Sequence, residues 1–243
     1  MSIWEKLADA TAELMSGSSI AAVLGGVHRH PGKHQLGFTI GVIALGAKIA
    51  KADGVVTSDE VRAFKEVFKI PAGEMKRVAE IFNLAKQDVT GYQAYAEQLA
   101  VLLRGNRRLL EDILEGLFHI AKADQVLHPR EVEFLTEVAK RFGITKIEFS
   151  YIKARHVVVT KRNPYDVLGV NASIAKDELK SHYRKLVLEN HPDKLIARGV
   201  PKEFVAIATE KLAAINEAYA QIANEGGDLV EQFNAAWRGR TVC

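Results

Sequence analysis

The stretch Leu188-Glu189-Asn190-His191-Pro192-Asp193-Lys194 (LENHPDK, residues 188–194) lies between two strongly helical patterns. A plain turn between helices needs little more than Gly or Asn, yet here an imidazole, a proline and a carboxylate stand side by side. Upstream, residues 174–190 place Ala175, Leu179, Tyr183 and Leu186 on one helical face, with Ser173 as the expected cap. Downstream, residues 202–224 place Phe204, Ala208, Leu212, Ile215, Tyr219 and Ile222 on another. Two apolar stripes joined by a loop predict an antiparallel helical hairpin. Pro192 pushes the residue before it out of helical geometry and so ends the first helix. His191 and Asp193 are therefore expected to project from the hairpin's end rather than lie along a helix face.

A short helix is expected ahead of the hairpin, with Asn163 as cap, Pro164 at its first position, Asp166 in its first turn and Gly169 at its end. On the hairpin's first helix, Lys176, Lys180 and Arg184 recur every four residues beside the buried face, and Lys185 adds charge further round. Such a stripe is either a solvated face or a docking surface. A carboxylate such as Asp193 only accepts hydrogen bonds, so its natural mate is an arginine or a backbone donor.

The first two thirds carry an internal repeat. Ile49-Ala50-Lys51-Ala52-Asp53 recurs 71 residues later as Ile120-Ala121-Lys122-Ala123-Asp124, and Glu60 matches Glu131 at the same offset. Each copy runs through a short turn into a new helix, and further helices are expected near 74–84 and 91–103. Two copies burying their apolar faces together predict an all-α domain with approximate two-fold internal symmetry. The periodicity fades over residues 146–161, which read as a hinge. The expected organisation is an N-terminal helix and loop (1–35), a helical domain (36–147), a linker (148–162), the hairpin module (163–225) and a tail (226–243).

The chain has 243 residues, 48% of them hydrophobic and 26% charged, a balance that supports packed cores. A net charge of +3 with interleaved signs gives no ground for nucleic-acid binding. Cys243 is the single cysteine, so no disulfide forms within the chain. The apolar run at 36–47 falls short of the roughly 20 residues that a spanning helix needs and predicts a buried core helix. Ile3, Leu7, Ala10 and Leu14 recur at helical spacing; packing and contact with a membrane surface both remain open for this stripe. His28, His30 and His34 fall in a Gly-rich segment that reads as a polar linker, and Leu229, Val230, Phe233 and Trp237 line one side of the tail. No phosphate-binding GxxxxGK[ST] loop and no nucleophile–histidine signature is found, so an enzyme is not expected.

The motifs NPYDVLGV, YRKL, HPDK and INEAYAQI, in this order across 163–225, resemble those of a J domain, the DnaJ-type module that works with DnaK-class heat-shock ATPases. The resemblance implies a docking face of Lys180, Tyr183, Arg184, Lys185 and Lys194, and a loop of His191, Pro192 and Asp193 that triggers ATP hydrolysis in the partner. The twice-seen AKAD motif followed by Glu is similar to the TerB-like (tellurite-resistance) helical domain. That order of domains resembles the DjlA-type co-chaperones. It implies a cytoplasmic protein, at the inner face of a membrane or free of it, with a DnaK-class ATPase and client proteins as partners. An alternative is a TerB-type metal- or stress-responsive scaffold, or a peripheral membrane organiser, with an accessory J domain.

Asp53, Glu60, Asp124 and Glu131 are candidate ligands for a divalent metal, since clustered carboxylates suit calcium or magnesium. Capping reads the same residues differently. Thr57-Ser58-Asp59-Glu60 fits a capping box, and His128-Pro129-Arg130-Glu131 repeats its plan with Pro129 at the first helical position.

Overall fold

The computed structural model describes residues 33–49, 70, 72–87, 91–122, 127–156, 163–201 and 205–225, together with Leu7, Ala12, Ala22, Val23 and Gly26. Among the described residues the fold is all-α, without a strand. In chain order the helices are α1 (Lys33–Ile49), α2 (Met75–Gln87), α3 (Tyr92–Leu102), α4 (Arg107–Ala121), α5 (Pro129–Arg141), α6 (Lys146–His156), α7 (Pro164–Leu168), α8 (Lys176–Glu189), α9 (Pro192–Arg198) and α10 (Val205–Glu225).

Helix α1 is the hub. Its apolar run is buried throughout, and α2, α3 and α4 pack around it. Each fully buried Leu or Ile contributes roughly 1.5–3 kcal/mol. Gly37 and Gly41, one helical turn apart, let α3 come close. A Cβ at Gly41 would lie 2.5 Å from Leu99 Cδ1, and one at Gly37 would lie 2.3 Å from Leu102 Cδ2. Leu7 and Val23 are buried in the same core. Leu7 of the N-terminal stripe thus packs into the core; Ile3, Ala10 and Leu14 lie outside the described residues. So do His28, His30 and the tail positions Leu229, Val230, Phe233 and Trp237; His34 falls within α1. No helix among the described residues is long and apolar enough to cross a membrane.

Helix α4 is amphipathic with two acids set into its buried side. Leu109, Ile113, Leu114, Leu117 and Phe118 are buried, and so are Asp112 and Glu115. Asn106 caps the helix, its side chain accepting from Leu109 N–H at 3.3 Å. Residues 146–156, where apolar periodicity fades, form α6, which packs on α4, α5, α7 and α10. The fading has a physical cause. The side of α6 that meets α4 includes Arg155 and His156, which bind Glu115 instead of presenting an apolar stripe.

A second apolar core lies in the hairpin, built from Val167, Leu168, Leu179, Tyr183, Ala214, Ile215 and Ala218. Asn163 caps α7, its Oδ1 accepting from Tyr165 N–H at 3.1 Å, with Pro164 at the first position and Gly169 at the end. Helix α8 starts later than the sequence suggests. Ala175 occupies the cap position, while Ser173 is drawn into a turn by Asn171, whose Oδ1 accepts from both its N–H and its hydroxyl at 2.9 Å. The connection after Pro192 is not a bare loop: residues 192–198 form α9, whose Leu195 is buried in the α1–α6 core together with Val200 and Ala208.

Candidate functional site

The tip between α8 and α9 is built from backbone geometry outward. Asn190 closes α8; it is 6% exposed, and its Nδ2 donates to Leu186 O at 2.8 Å. His191 takes an extended conformation as the cap of α9, and its Nδ1 accepts from Asp193 N–H at 3.3 Å. Pro192 fills the first helical position, where no N–H is needed. The result is a locally braced imidazole and carboxylate, with Asp193 Oδ2 3.7 Å from His191 Nδ1. The His191 side chain is 45% exposed and that of Asp193 is 87% exposed.

Arg184, Lys185 and Lys194 are exposed on the same end of the hairpin, and Lys180 is half-buried. Lys185 Nζ lies 4.0 Å from Glu189 Oε1. Tyr183 is placed otherwise. It is buried, its ring stacks on Tyr219 with centroids 3.9 Å apart, and its hydroxyl donates to Asn216 Oδ1 at 3.1 Å. It holds α8 against α10 and offers little surface to a partner.

The metal candidates divide. Asp53, Glu60 and Asp124 lie outside the described residues. Glu131 is 4% exposed and its Oε2 accepts from His128 N–H at 2.8 Å, with Pro129 at the first position of α5. One of its oxygens is thus committed to a capping box.

Beside the apolar contact of Leu195, Val200 and Ala208, the helical domain meets the hairpin through a polar cluster that the sequence reading missed. Arg198 Nη2 donates to Asp112 Oδ2 at 2.8 Å, and Lys211 Nζ lies 3.8 Å from Asp112 Oδ1. Glu115 accepts from Arg155 Nε at 2.9 Å and from His156 Nε2 at 2.6 Å, with Lys211 Nζ at 3.2 Å. Burial pushes the Asp112 carboxyl up, against the opposing pull of Lys211 and Arg198. Burial acts on Glu115 in the same sense, but there Arg155 and Lys211, with the bond from His156, prevail and hold it well below the usual carboxylate range. His156 is pushed down to about 4 by burial, only partly offset by Glu115. It is thus neutral at pH 7, with Nε2 carrying the proton donated to Glu115. At the rim, His119 and Lys122 reach Glu210 Oε2 at 2.9 and 3.3 Å. A signal existed in the sequence: Asp112 and Glu115 interrupt an otherwise apolar helix face, and buried acids need partners.

The comparisons with known proteins agree with this layout. The TerB family (tellurite resistance protein TerB) matches residues 39–154, and the DnaJ domain family matches residues 163–226. The class is therefore a J-domain co-chaperone in which a TerB domain precedes a C-terminal DnaJ domain. Along most of its length the chain is similar to proteins described as co-chaperone protein DjlA. The one from Shewanella oneidensis is 25% identical over 226 residues, covering 87% of this chain and 85% of that protein. The one from Photobacterium profundum is 28% identical over 221 residues, covering 80% of each. The one from Coxiella burnetii is 28% identical over 194 residues, covering 72% of each. The chain shares with these proteins a similarity that runs through both its TerB and its DnaJ matches. No solved structure matches it.

Proposed function

We propose that this chain recruits a DnaK-class ATPase through its J domain and stimulates the partner's ATP hydrolysis, with His191, Pro192 and Asp193 as the triggering loop. Arg184, Lys185, Lys194 and Lys180 steer and dock the partner. The observation that carries this reading is the Asp193 carboxylate, 87% exposed on a proline-locked turn beside exposed cations. A braced, solvent-facing acceptor loses little entropy on meeting an arginine or a backbone donor. The cations speed encounter with an acidic surface and make it salt-sensitive. Activation follows if the loop binds one conformation of the ATPase better than the other, since only differential affinity shifts an equilibrium. The hydrolytic groups belong to the partner. The TerB domain then serves to hold clients or a further partner, in the cytoplasm where DnaK-class chaperones work.

The test is single-turnover ATP hydrolysis by a DnaK-class partner with rising amounts of the full chain. Wild type is expected to stimulate. Loss of one charge-assisted hydrogen bond, roughly 1.5–3 kcal/mol, predicts a fall of roughly 10- to 100-fold in stimulation with Asp193→Asn. His191→Gln is expected to act in the same direction, with helical content by circular dichroism unchanged for both. Equal stimulation by the folded Asp193→Asn variant would remove the triggering role.

A further inference from the structure

The His-Pro-Asp loop is gripped from outside its own domain. Arg198, at the end of α9, reaches back across the loop, and its Nη1 donates to Glu189 O at 2.7 Å. Its Nη2 donates to Asp112 Oδ2 of α4 at 2.8 Å. Glu189 is held in turn by α4, since Arg108 Nη2 donates to Glu189 Oε2 at 3.0 Å. Asn106 Nδ2 adds a bond to Arg198 O at 2.9 Å. Arg108 and Asp112 are four residues apart, so they project from the same side of one turn of α4. A closed circuit results: α4 to Glu189, Glu189 to Arg198, and Arg198 back to α4. The three trigger residues, His191, Pro192 and Asp193, lie between its two ends on the segment, Glu189 and Arg198. Leu195, buried in the TerB-side core, anchors the same segment by packing.

We infer that Asp112 and Arg108 of the TerB domain are positioning residues for the His-Pro-Asp loop, so that this domain sets how well the J domain stimulates its ATPase. The inference rests on the proposed function for its activity readout. The fork of Arg198 is the essential part. A planar guanidinium can bond Glu189 O and Asp112 together, whereas a lysine keeps the charge but is a single point donor. Of the exposed docking cations, Arg184 and Lys185 stand on α8 ahead of the closed segment, and Lys194 alone lies within it. Loosening the circuit should therefore spare encounter and impair triggering, because small misplacements at a reacting interface are costly in rate.

The experiment uses the full chain and its Arg198→Lys, Asp112→Asn and Arg108→Gln variants. Stimulation of a DnaK-class ATPase is titrated to saturation, and the backbone amide resonances of His191 and Asp193 are recorded for each free protein. Arg198→Lys and Asp112→Asn are expected to lower maximal stimulation about tenfold, with the half-saturating concentration within about twofold of wild type. The Asp193 amide should move in all three variants. Arg108→Gln alters an exposed side chain and remains informative should a buried change prevent folding. Folded variants with wild-type maximal stimulation and an unmoved Asp193 amide would overturn the inference, as would a change confined to the half-saturating concentration. If wild type itself fails to stimulate, the proposed function falls, and the amide resonances alone then decide whether the TerB side positions the loop.

Discussion

Arg198 of α9 and Asp112 of α4 form an ion pair at 2.8 Å between residues 86 positions apart in the chain. Asp112 is 6% exposed, and Lys211 stands on its other oxygen at 3.8 Å. Removing the carboxylate leaves two largely buried cations, Arg198 and Lys211, without their shared acid. Asp112→Ala is therefore expected to cost about 3–5 kcal/mol, read as a lower urea midpoint. Asp112→Asn retains an acceptor for Arg198 and should cost less. Wild-type stability in both variants would mean that the pair is idle and its surroundings are wet.

Tyr183 is the residue whose expected and observed places differ most. Its motif suggests a docking role, but its ring lies against Tyr219 and its hydroxyl bonds Asn216. Tyr183→Phe keeps the stack and loses one hydrogen bond, so it should lower stability by about 1 kcal/mol. The concentration needed for half-maximal ATPase stimulation should not change. A marked rise in that concentration with unchanged stability would return Tyr183 to the docking face.

Two glycines with positive φ separate backbone strain from crowding. Gly143, at φ 71°, has open space around it, whereas Gly199, at φ 106°, would place a Cβ 2.8 Å from His34 Cβ. Gly143→Ala should thus show the left-handed penalty alone, about 1 kcal/mol. Gly199→Ala adds a collision with α1 just after the Arg198 circuit and should cost more, about 2 kcal/mol or above. Thermal denaturation ranks the two; equal melting temperatures would show that α1 yields freely.

Legibility followed locality. The stripe of α8, the Asn163–Pro164 cap and the buried run of α1 are encoded by neighbours three and four residues apart, and they are readable for that reason. Helix α9 is not, because PDKLIAR offers one deeply buried apolar residue, Leu195, whose burial depends on the other domain. Helix α6 hides its inward side behind Arg155 and His156, whose value depends on Glu115 some forty positions away. Ser173 failed as a cap because Asn171 competes for it two residues earlier. The exposed tip of the candidate site was visible as a motif, while the circuit that braces it joins residues from both domains and has no local pattern.

His156 makes the packing of α6 sensitive to acid. Its ring is stacked on Phe118 with centroids 5.0 Å apart, donates to Glu115, and has Arg155 and Lys122 as neighbouring positive charges. Burial lowers it from 6.5 to about 4, so between these values the unfolded chain binds a proton that the folded chain refuses. Stability therefore falls as pH drops through this window, and it is restored in full above 6.5. Glu115 is also depressed, but its contribution is lost only below the ordinary carboxylate value of 4.5. The raised Asp112 carboxyl acts in the opposite sense above 3.8. The difference between wild type and His156→Gln over pH 6.5 to 4.5 therefore reports the histidine. The loss expected from the histidine over that interval is about 2–3 kcal/mol. His156→Gln keeps a donor for Glu115 without a titrating group, and its stability should not show this loss from pH 6.5 to 4.5. Urea midpoints at several pH values check both curves. If wild type and His156→Gln decline in parallel, the imidazole is accessible to protons in the folded chain and α6 is not sealed against α4.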